Sequence, residues 1–253
     1  MANSPSKPQS TNQSKTSASS LFSKATIGVL IGIFVLAVVS RFDANISPSV
    51  AKIQESFPNE DPSKVESIVS IGSSAAMVSA VIFGKLLERL SFRFVGITAC
   101  LFVSVGGLLP IVMHDSVNEL LFFAIVVGFG VGIITTMLPS LEAHFFHGKQ
   151  LSTLMGWNLA VQNGASMVIM YVGGLLALQS WVYNYWLYAI AVLALIPVFL
   201  FVPAEKVTDD SSSADQYQLK AGARQSTANI VVCELLGFLS IFLVAVMYNK
   251  LAV

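Results

Sequence analysis

A short charged loop between two apolar runs carries the residues with the clearest chemical potential. It begins at Gly84 and contains Lys85, Glu88, Arg89 and Arg93. A glycine at the end of a membrane helix lets a neighbouring helix approach closely, and an acid followed by an arginine forms charge-assisted hydrogen bonds with nearby helix ends. Such a cluster can close one side of a membrane protein in one state and release it in another. The loop is therefore predicted to be a cytoplasmic gate.

Two ionisable residues, Arg41 and Asp43, interrupt the first apolar run, and Asn45 follows them. Charged groups inside a membrane segment are costly and indicate a functional site by default. One interpretation is a charged pair lining a central cavity, with Asp43 contacting a proton or a substrate. The other is an interfacial pair at the external mouth. Counted from Lys24, Asp43 lies about 30 Å along a straight helix, at the outer edge of the hydrocarbon core, which favours the interfacial interpretation.

A polar stripe is predicted further along the chain. Asn158, Gln162 and Ser166 recur at every fourth residue and therefore share one face of a helix. Hydrogen-bonding side chains in lipid must turn toward other helices or toward a water-filled cavity. Cavity lining and helix–helix bonding both remain open for this stripe.

The sequence indicates neither an enzyme nor a metal or cofactor site. His144 and His147 have a spacing that could suit a metal, but no third ligand is evident, so interfacial histidines are favoured. No nucleophile–base set and no phosphate-binding loop is present. The formal net charge of zero gives no indication of nucleic-acid binding.

The elements that must position these residues are membrane helices. The chain is 55% hydrophobic and only 11% charged, with a mean hydropathy of +0.73, whereas a soluble domain has roughly a quarter charged residues. Runs this long and continuous indicate helices rather than a barrel, because each span needs about 20 apolar residues. We expect an all-α polytopic membrane protein, and we number its spans 1 to 7. The spans cover roughly 25–47, 67–87, 94–113, 120–141, 153–178, 181–203 and 229–248.

The loop charges predict the orientation. With the N-terminus inside, ten of the fourteen Lys and Arg residues fall on the cytoplasmic side. Residues 1–20 are polar and are expected to form a disordered cytoplasmic tail, and a cleaved signal peptide is disfavoured because no cleavage site follows the first run. We expect residues 21–203 to form a six-helix bundle, 204–228 a polar cytoplasmic linker and 229–253 the seventh helix.

Sequence similarity between two parts of the chain supports a repeat within the bundle. Offsets of 90 or 91 residues place 74–78 over 164–168 and Ile46-Ser47-Pro48-Ser49-Val50 over Met137-Leu138-Pro139-Ser140-Leu141. Span 1 thus echoes span 4, and span 2 echoes span 5. Three helices intervene each time, which inverts the orientation and predicts a three-plus-three inverted repeat. Chance matching among apolar sequences is the alternative.

The gate loop resembles the G-x-x-x-D-R-x-G-R-R signature of major facilitator superfamily transporters. Gly84, Arg89 and Arg93 match this pattern, and Glu88 replaces the usual Asp. An ordinary basic loop is the alternative explanation. The run from Pro139 to Glu142 resembles a second family motif, and that resemblance implies that Glu142 faces Arg89 or Arg93 in an inner-edge ion network. A solvated acid at the membrane interface is the alternative for Glu142.

The resemblance implies a secondary active transporter in the cell membrane that moves a small solute by alternating access, with or without a coupled proton or cation. The family normally has twelve helices, so the second bundle is expected from a homodimer or from a missing C-terminal half. The alternatives are a non-transporting membrane protein, such as an assembly partner, or a seven-helix receptor. A receptor is disfavoured by the predicted cytoplasmic N-terminus.

Overall fold

The computed structural model describes residues 24–87 and 89–205. Six segments of the described chain are long and apolar enough to cross a membrane, and they confirm the predicted spans 1 to 6. They cover Ile27–Ser56, Pro62–Leu86, Phe92–Ile111, Val117–Phe145, Gly148–Gln179 and Trp181–Phe201. The predicted span 7, the tail 1–20, nearly all of the linker and Glu88 lie outside the described residues.

Spans 1, 3 and 6 each change from one helix type to another. Span 1 combines α-helix Lys24–Val39, 3-10 helix Phe42–Ser49 and α-helix Val50–Ser56, and span 3 combines α-helix Phe92–Leu108 with 3-10 helix Leu109–Ile111. Span 6 combines α-helix Trp181–Asn184, 3-10 helix Tyr185–Tyr188 and α-helix Ala189–Phe201. Spans 2, 4 and 5 are single α-helices.

Span 1 runs about nine residues beyond its predicted end, and Pro48 lies within the segment of changed winding. A proline has no N–H and clashes with the carbonyl four residues earlier, which disfavours α-helical winding at residues 44–48. Here the chain continues as a 3-10 helix instead of ending. Arg41 is therefore the fifteenth of the 30 residues of span 1, near its middle. The choice between the cavity and the interfacial interpretations of Arg41 and Asp43 stays a prediction.

Side chains from span 6 bond the carbonyls of the 3-10 segment. Tyr188 Oη donates to the carbonyl of Phe42 at 3.0 Å, and Asn184 Nδ2 donates to the carbonyl of Asn45 at 2.6 Å. Backbone groups within a bilayer need partners inside the protein. These bonds let span 1 depart from α-helical geometry at membrane depth.

Spans 2 and 4 pack backbone against backbone. A Cβ built on Gly128 would collide with the carbonyl of Gly72, and one built on Gly132 would collide with the carbonyl of Ala76. Ser79 Oγ adds a hydrogen bond of 2.7 Å to the carbonyl of Phe129. Glycines thus set the distance between these two helices, as small residues do in membrane bundles.

The packing pattern follows the predicted inverted repeat. Span 2 packs on span 4 and span 5 packs on span 1; span 3 packs on span 4 and span 6 packs on span 1. When spans 1, 2 and 3 are exchanged for spans 4, 5 and 6, the contact of span 2 with span 4 becomes the contact of span 5 with span 1. The contact of span 3 with span 4 likewise becomes the contact of span 6 with span 1. Spans 2 and 5, which the repeat also relates, bury the smallest share of their residues within the bundle.

Candidate solute site and cytoplasmic gate

One continuous chain of side-chain hydrogen bonds joins spans 1, 5 and 4. Arg41 Nη2 donates to Gln162 Oε1, Gln162 Nε2 donates to Asn158 Oδ1 at 3.1 Å, and Asn158 Nδ2 donates to Glu142 Oε1. We call these four residues the Arg41–Glu142 chain. Every donor points in the same direction, from the guanidinium toward the carboxylate. The chain therefore connects a cation in the middle of the bundle with an anion near the C-terminal end of span 4.

The sequence periodicity accounts for the centre of this chain. Asn158 and Gln162 are four residues apart on one α-helix, so their side chains lie on the same face and contact each other. In the structure, these two side chains bond residues of other helices, Glu142 of span 4 and Arg41 of span 1. Ser166, the third member of the stripe, is half-buried and makes no hydrogen bond recorded among the described residues.

The burial of these side chains makes their hydrogen bonds important for stability. The side chains of Glu142 and Asn158 belong to residues only 2% and 5% exposed. A buried charge without partners is strongly unfavourable, whereas charge-assisted hydrogen bonds offset much of that penalty. Two buried polar atoms nearby have no hydrogen-bond partner among the described residues, namely Arg41 Nε and Asp43 Oδ1. The middle of span 1 thus contains a hydrogen-bond donor on a cationic side chain and an acceptor on an acidic side chain, and neither has a partner among the described residues.

Asn45 belongs to a second polar cluster, outside the Arg41–Glu142 chain. Its Nδ2 donates to the carbonyl of Asn184 at 3.2 Å, and Asn184 Nδ2 donates back to the carbonyl of Asn45 and to Ser49 Oγ at 2.7 Å. Gly173 makes room for this pair, because a Cβ there would lie 2.6 Å from Asn184 Oδ1. We call Asn45, Ser49, Gly173 and Asn184 the outer clamp. It ties span 1 to spans 5 and 6.

Sequence reasoning did not identify Asn184. The residue stands among Trp181, Tyr183, Tyr185 and Trp186, and this aromatic segment matches a membrane-interface belt. The available signal was an uncharged amide inside an otherwise apolar segment. Residue 184 is 1% exposed, which shows that the amide faces the protein interior.

No hydrogen bond or ion pair joins the predicted gate residues that the structure describes. Arg93 Nε donates to the carbonyl of Val202 at 2.8 Å, and its guanidinium carbon lies 5.7 Å from the centre of the Phe199 ring. Arg93 therefore ties the start of span 3 to the end of span 6. Arg89 is exposed. A Cβ on Gly84 would meet only Thr136 Cγ2, at 3.7 Å, so no part of the described chain packs tightly against this glycine.

The predicted contact of Glu142 with Arg89 or Arg93 is wrong in this structure. Glu142 accepts its hydrogen bond from Asn158, and Arg93 uses a backbone carbonyl instead of a carboxylate. The physical reason is the direction of the Glu142 side chain. Residue 142 is buried on the inner side of span 4, whereas Arg89 is exposed to the surroundings.

Six apolar spans and interior polar contacts define a multi-pass membrane protein, and sequence comparison identifies its family. A sequence model of the Major Facilitator Superfamily matches residues 21–251. The chain belongs to this superfamily. No curated protein matches the sequence significantly.

Solved structures of superfamily transporters share the fold. The proton:xylose symporter XylE bound to 6-bromo-6-deoxy-D-glucose is 16% identical, with a TM-score of 0.61 over 83% of this chain and 51% of that one. The peptide transporter POT in complex with sulfate is 14% identical, with a TM-score of 0.61 over 83% of this chain and 46% of that one. A D-xylose-proton symporter is 14% identical, with a TM-score of 0.55 over 81% and 55%. The chain spans about half the length of these transporters.

Proposed function

We propose that this chain forms one bundle of a secondary active transporter, which moves a small solute across a cell membrane by alternating access. The Arg41–Glu142 chain carries the proposal. It holds two opposite charges between spans 1, 5 and 4, with one of them near the middle of the bundle. Ionisable groups at such positions are retained where they serve a solute or ion pathway.

The poorly covered faces of spans 2 and 5 support a second bundle. Span 5 exposes small and polar residues, and a Cβ on Gly156 or Gly164 would meet nothing within 4 Å. Small residues on a helix surface permit close approach of another helix. We infer that spans 2 and 5 contact a second bundle, which comes from another copy of this chain or from a further stretch of polypeptide. Gly84 is the residue of the gate motif that faces this contact.

The orientation is also proposed from charge. The start of span 1 and the loops with the adjoining helix ends between spans 2 and 3 and between spans 4 and 5 carry Lys24, Lys85, Arg89, Arg93 and Lys149. The positive-inside rule places these loops, and with them the N-terminus, in the cytoplasm. Cysteine labelling of residue 20 and of residue 59 with an impermeant reagent in intact cells tests this orientation. Labelling of position 20 instead of position 59 would contradict it.

The test of transport uses the full chain reconstituted in vesicles. A panel of labelled organic anions, sugars and dipeptides is offered with and without an inward proton gradient. We expect accumulation of at least one class by wild type. Gly84→Leu is expected to leave thermal unfolding unchanged and to abolish uptake and any intermolecular crosslink through span 2. Val192→Phe adds comparable bulk on the exposed face of span 6 and serves as the control.

Two outcomes contradict the proposal. Normal uptake by folded Gly84→Leu would show that the gate glycine faces no second bundle. Absence of uptake of every panel member by folded wild type would favour a non-transporting membrane protein.

A further inference from the structure

One edge of the Arg41 guanidinium is only half used. Nη2 donates to Gln162, whereas Nε, which lies on the same edge, is buried and has no partner among the described residues. Two parallel N–H donors on one arginine edge match the two oxygens of a carboxylate or a phosphate group. An oxyanion is therefore the chemical group that would satisfy this edge, once Gln162 no longer engages Nη2.

The direction of the hydrogen bonds in the Arg41–Glu142 chain shows what controls the bond between Arg41 Nη2 and Gln162. A hydrogen bond to an ionised carboxylate is roughly twice as strong as one to a neutral acceptor. The chain is therefore strongest when Glu142 is ionised, because each amide is then oriented with its N–H toward the carboxylate. A proton on Glu142 weakens the bond from Asn158 and removes the constraint on the orientation of both amides. Gln162 is then free to release Arg41.

Charge balance also links the binding of an anion at Arg41 to the protonation of Glu142. With Glu142 ionised, the chain holds one positive and one negative charge, so its ends compensate each other. An anion added at Arg41 would leave an excess negative charge in a medium of low dielectric constant. Protonation of Glu142 removes that excess. One anion and one proton together leave the net charge of the chain unchanged.

We propose that an anionic solute with a carboxylate or phosphate group binds Arg41 together with a proton on Glu142, and that Gln162 and Asn158 transmit this coupling. The inference rests on the proposed transport function and specifies the solute class and the coupling ion of the same site. The proton comes from water and forms an O–H bond on Glu142. Arg41 exchanges its bond to Gln162 for two bonds to the anion, from Nη2 and Nε.

The surrounding charged groups bond other partners or are exposed. His144, on the same helix, lies 3.4 Å from the carboxylate of Glu205. Arg93 of span 3 bonds the carbonyl of Val202. Lys85 at the end of span 2, Arg89 in the following loop and Lys149 at the start of span 5 are exposed. Asp43, two residues after Arg41 in span 1, is the rival proton carrier, since its Oδ1 is buried without a partner.

The coupling is tested by anion binding to the full chain in lipid nanodiscs. The probes are benzoate, which carries a carboxylate, and dimethyl phosphate, which carries a non-titrating phosphate; chloride is the control. A pH-indicator dye in weak buffer reports proton uptake. For wild type we expect about one proton taken up per bound probe, and an affinity that falls about tenfold per pH unit above the pH at which Glu142 loses its proton. Which probe binds more tightly distinguishes the two solute chemistries.

Variants separate the two ends of the chain. Glu142→Gln is expected to bind the probe without proton uptake and with an affinity independent of pH, because the side chain is already neutral. Arg41→Gln should lose at least about tenfold in probe affinity, as expected for a hydrogen-bonded charge. Asp43→Asn should keep the proton uptake.

Transmission through the chain has a spectroscopic signature. Infrared difference spectra between high and low pH should show a protonated-carboxyl band that is absent in Glu142→Gln. Gln162→Leu breaks the chain in the middle and should shift the frequency of that band. Asn163→Leu, the exposed neighbour on the same helix, should leave it unchanged.

Each contrary result overturns the inference. These results are proton uptake that persists in Glu142→Gln, uptake that disappears in Asp43→Asn, probe binding that survives Arg41→Gln, and failure of both probes to bind wild type. A carboxyl band unaffected by Gln162→Leu also overturns it. Because neither measurement needs solute flux, an absence of transport in vesicles would count against the proposed function alone.

Discussion

The seam between spans 2 and 4 and the seam between spans 1 and 5 are related by the inverted repeat, yet they are held together differently. With the offsets of 91 and 90 residues, Gly132 corresponds to Arg41, and Gly72 and Ala76 correspond to Gln162 and Ser166. In the first seam, between spans 2 and 4, glycines bring the two backbones into contact. We call this contact the glycine seam. In the second, the corresponding positions include an arginine and a glutamine that bond each other.

This difference assigns close packing to the contact of spans 2 and 4 and polar function to the contact of spans 1 and 5. Two helices in contact through glycine leave no room for water or solute, so the seam between spans 2 and 4 is a rigid support. The seam between spans 1 and 5 places hydrogen-bonding groups where their partners can be exchanged. One of the two related helix contacts thus provides rigidity, and the other provides the chemistry.

The two prolines of the repeat show the same contrast. Pro139 lies within the uninterrupted α-helix Val117–Phe145 of span 4. Its counterpart Pro48 lies in the 3-10 segment of span 1, whose carbonyls accept hydrogen bonds from Tyr188 and Asn184. A proline therefore leaves one helix intact and accompanies a change of winding in the other. The partners available from neighbouring helices account for the difference.

The largest expected effect comes from bulk in the glycine seam. In Gly132→Leu the new side chain would collide with the carbonyl of Ala76. Overpacking costs about 1–3 kcal/mol where side chains can adjust, and a backbone atom adjusts less, so we expect loss of the folded protein. Gly164→Leu, whose Cβ meets nothing within 4 Å, is the control. The measurements are the yield of monodisperse protein and its thermal unfolding in detergent. Equal stability of both variants would remove the distinction between the seams.

A break in the Arg41–Glu142 chain should have the next largest effect. Gln162→Leu leaves Arg41 Nη2 and Asn158 Oδ1 without their present partners. The loss of hydrogen bonds to a charged group predicts a destabilisation of about 1.5–3 kcal/mol. Asn163→Leu makes the same chemical change on the exposed side and should stay within about 0.5 kcal/mol of wild type. Thermal unfolding in detergent compares them, and a Gln162→Leu variant as stable as wild type would show that this seam does not depend on the chain.

The outer clamp should contribute less. Asn184→Leu removes the bonds from Asn184 Nδ2 to the carbonyl of Asn45 and to Ser49 Oγ. Side-chain bonds between membrane helices contribute at most about 1.7 kcal/mol each, so we expect a destabilisation of about 1–2 kcal/mol. Hydrogen exchange at residues 42–49 should increase at the same time. Unchanged exchange would mean that the 3-10 segment is stable without span 6. Tyr183→Phe, at an exposed neighbouring position, is the control.

The smallest effect is expected at the only polar bond described across the glycine seam. Ser79→Ala removes the bond of 2.7 Å to the carbonyl of Phe129, and bonds of this kind average about 0.6 kcal/mol. Ser166→Ala, at a half-buried position of span 5, should change the free energy of unfolding even less. A Ser79→Ala loss above that of Gln162→Leu would reverse the assignment of the two seams. Thermal unfolding of both variants in one detergent provides the comparison.

Part of the candidate site followed from periodicity. The spacing of Asn158 and Gln162 predicts one shared face, and the cost of polar groups in lipid predicts that this face meets other helices or a water-filled cavity. The resemblance to the superfamily also pointed to Glu142, but it assigned the wrong partner. A motif records which residues stand close in sequence, whereas the direction of a side chain depends on how its helix is rotated against its neighbours.

The end of span 1 shows where counting along the sequence fails. The apolar pattern predicts an end near residue 47, but the structure extends span 1 to Ser56 through a 3-10 segment. That extension depends on Tyr188 and Asn184, which are more than 130 residues away in sequence. Local sequence contains no record of such partners.

The sequence by itself determined that the protein is a polytopic helical membrane protein, where spans 1 to 6 lie, and which residues share a face of span 5. These properties follow from apolar length and helical period, both of which are local. Only the tertiary structure decided that Arg41, Gln162, Asn158 and Glu142 form one hydrogen-bonded chain, and that Arg93 bonds span 6. The register between helices decides those contacts, and it is set by the close approach of glycines and carbonyls across the bundle.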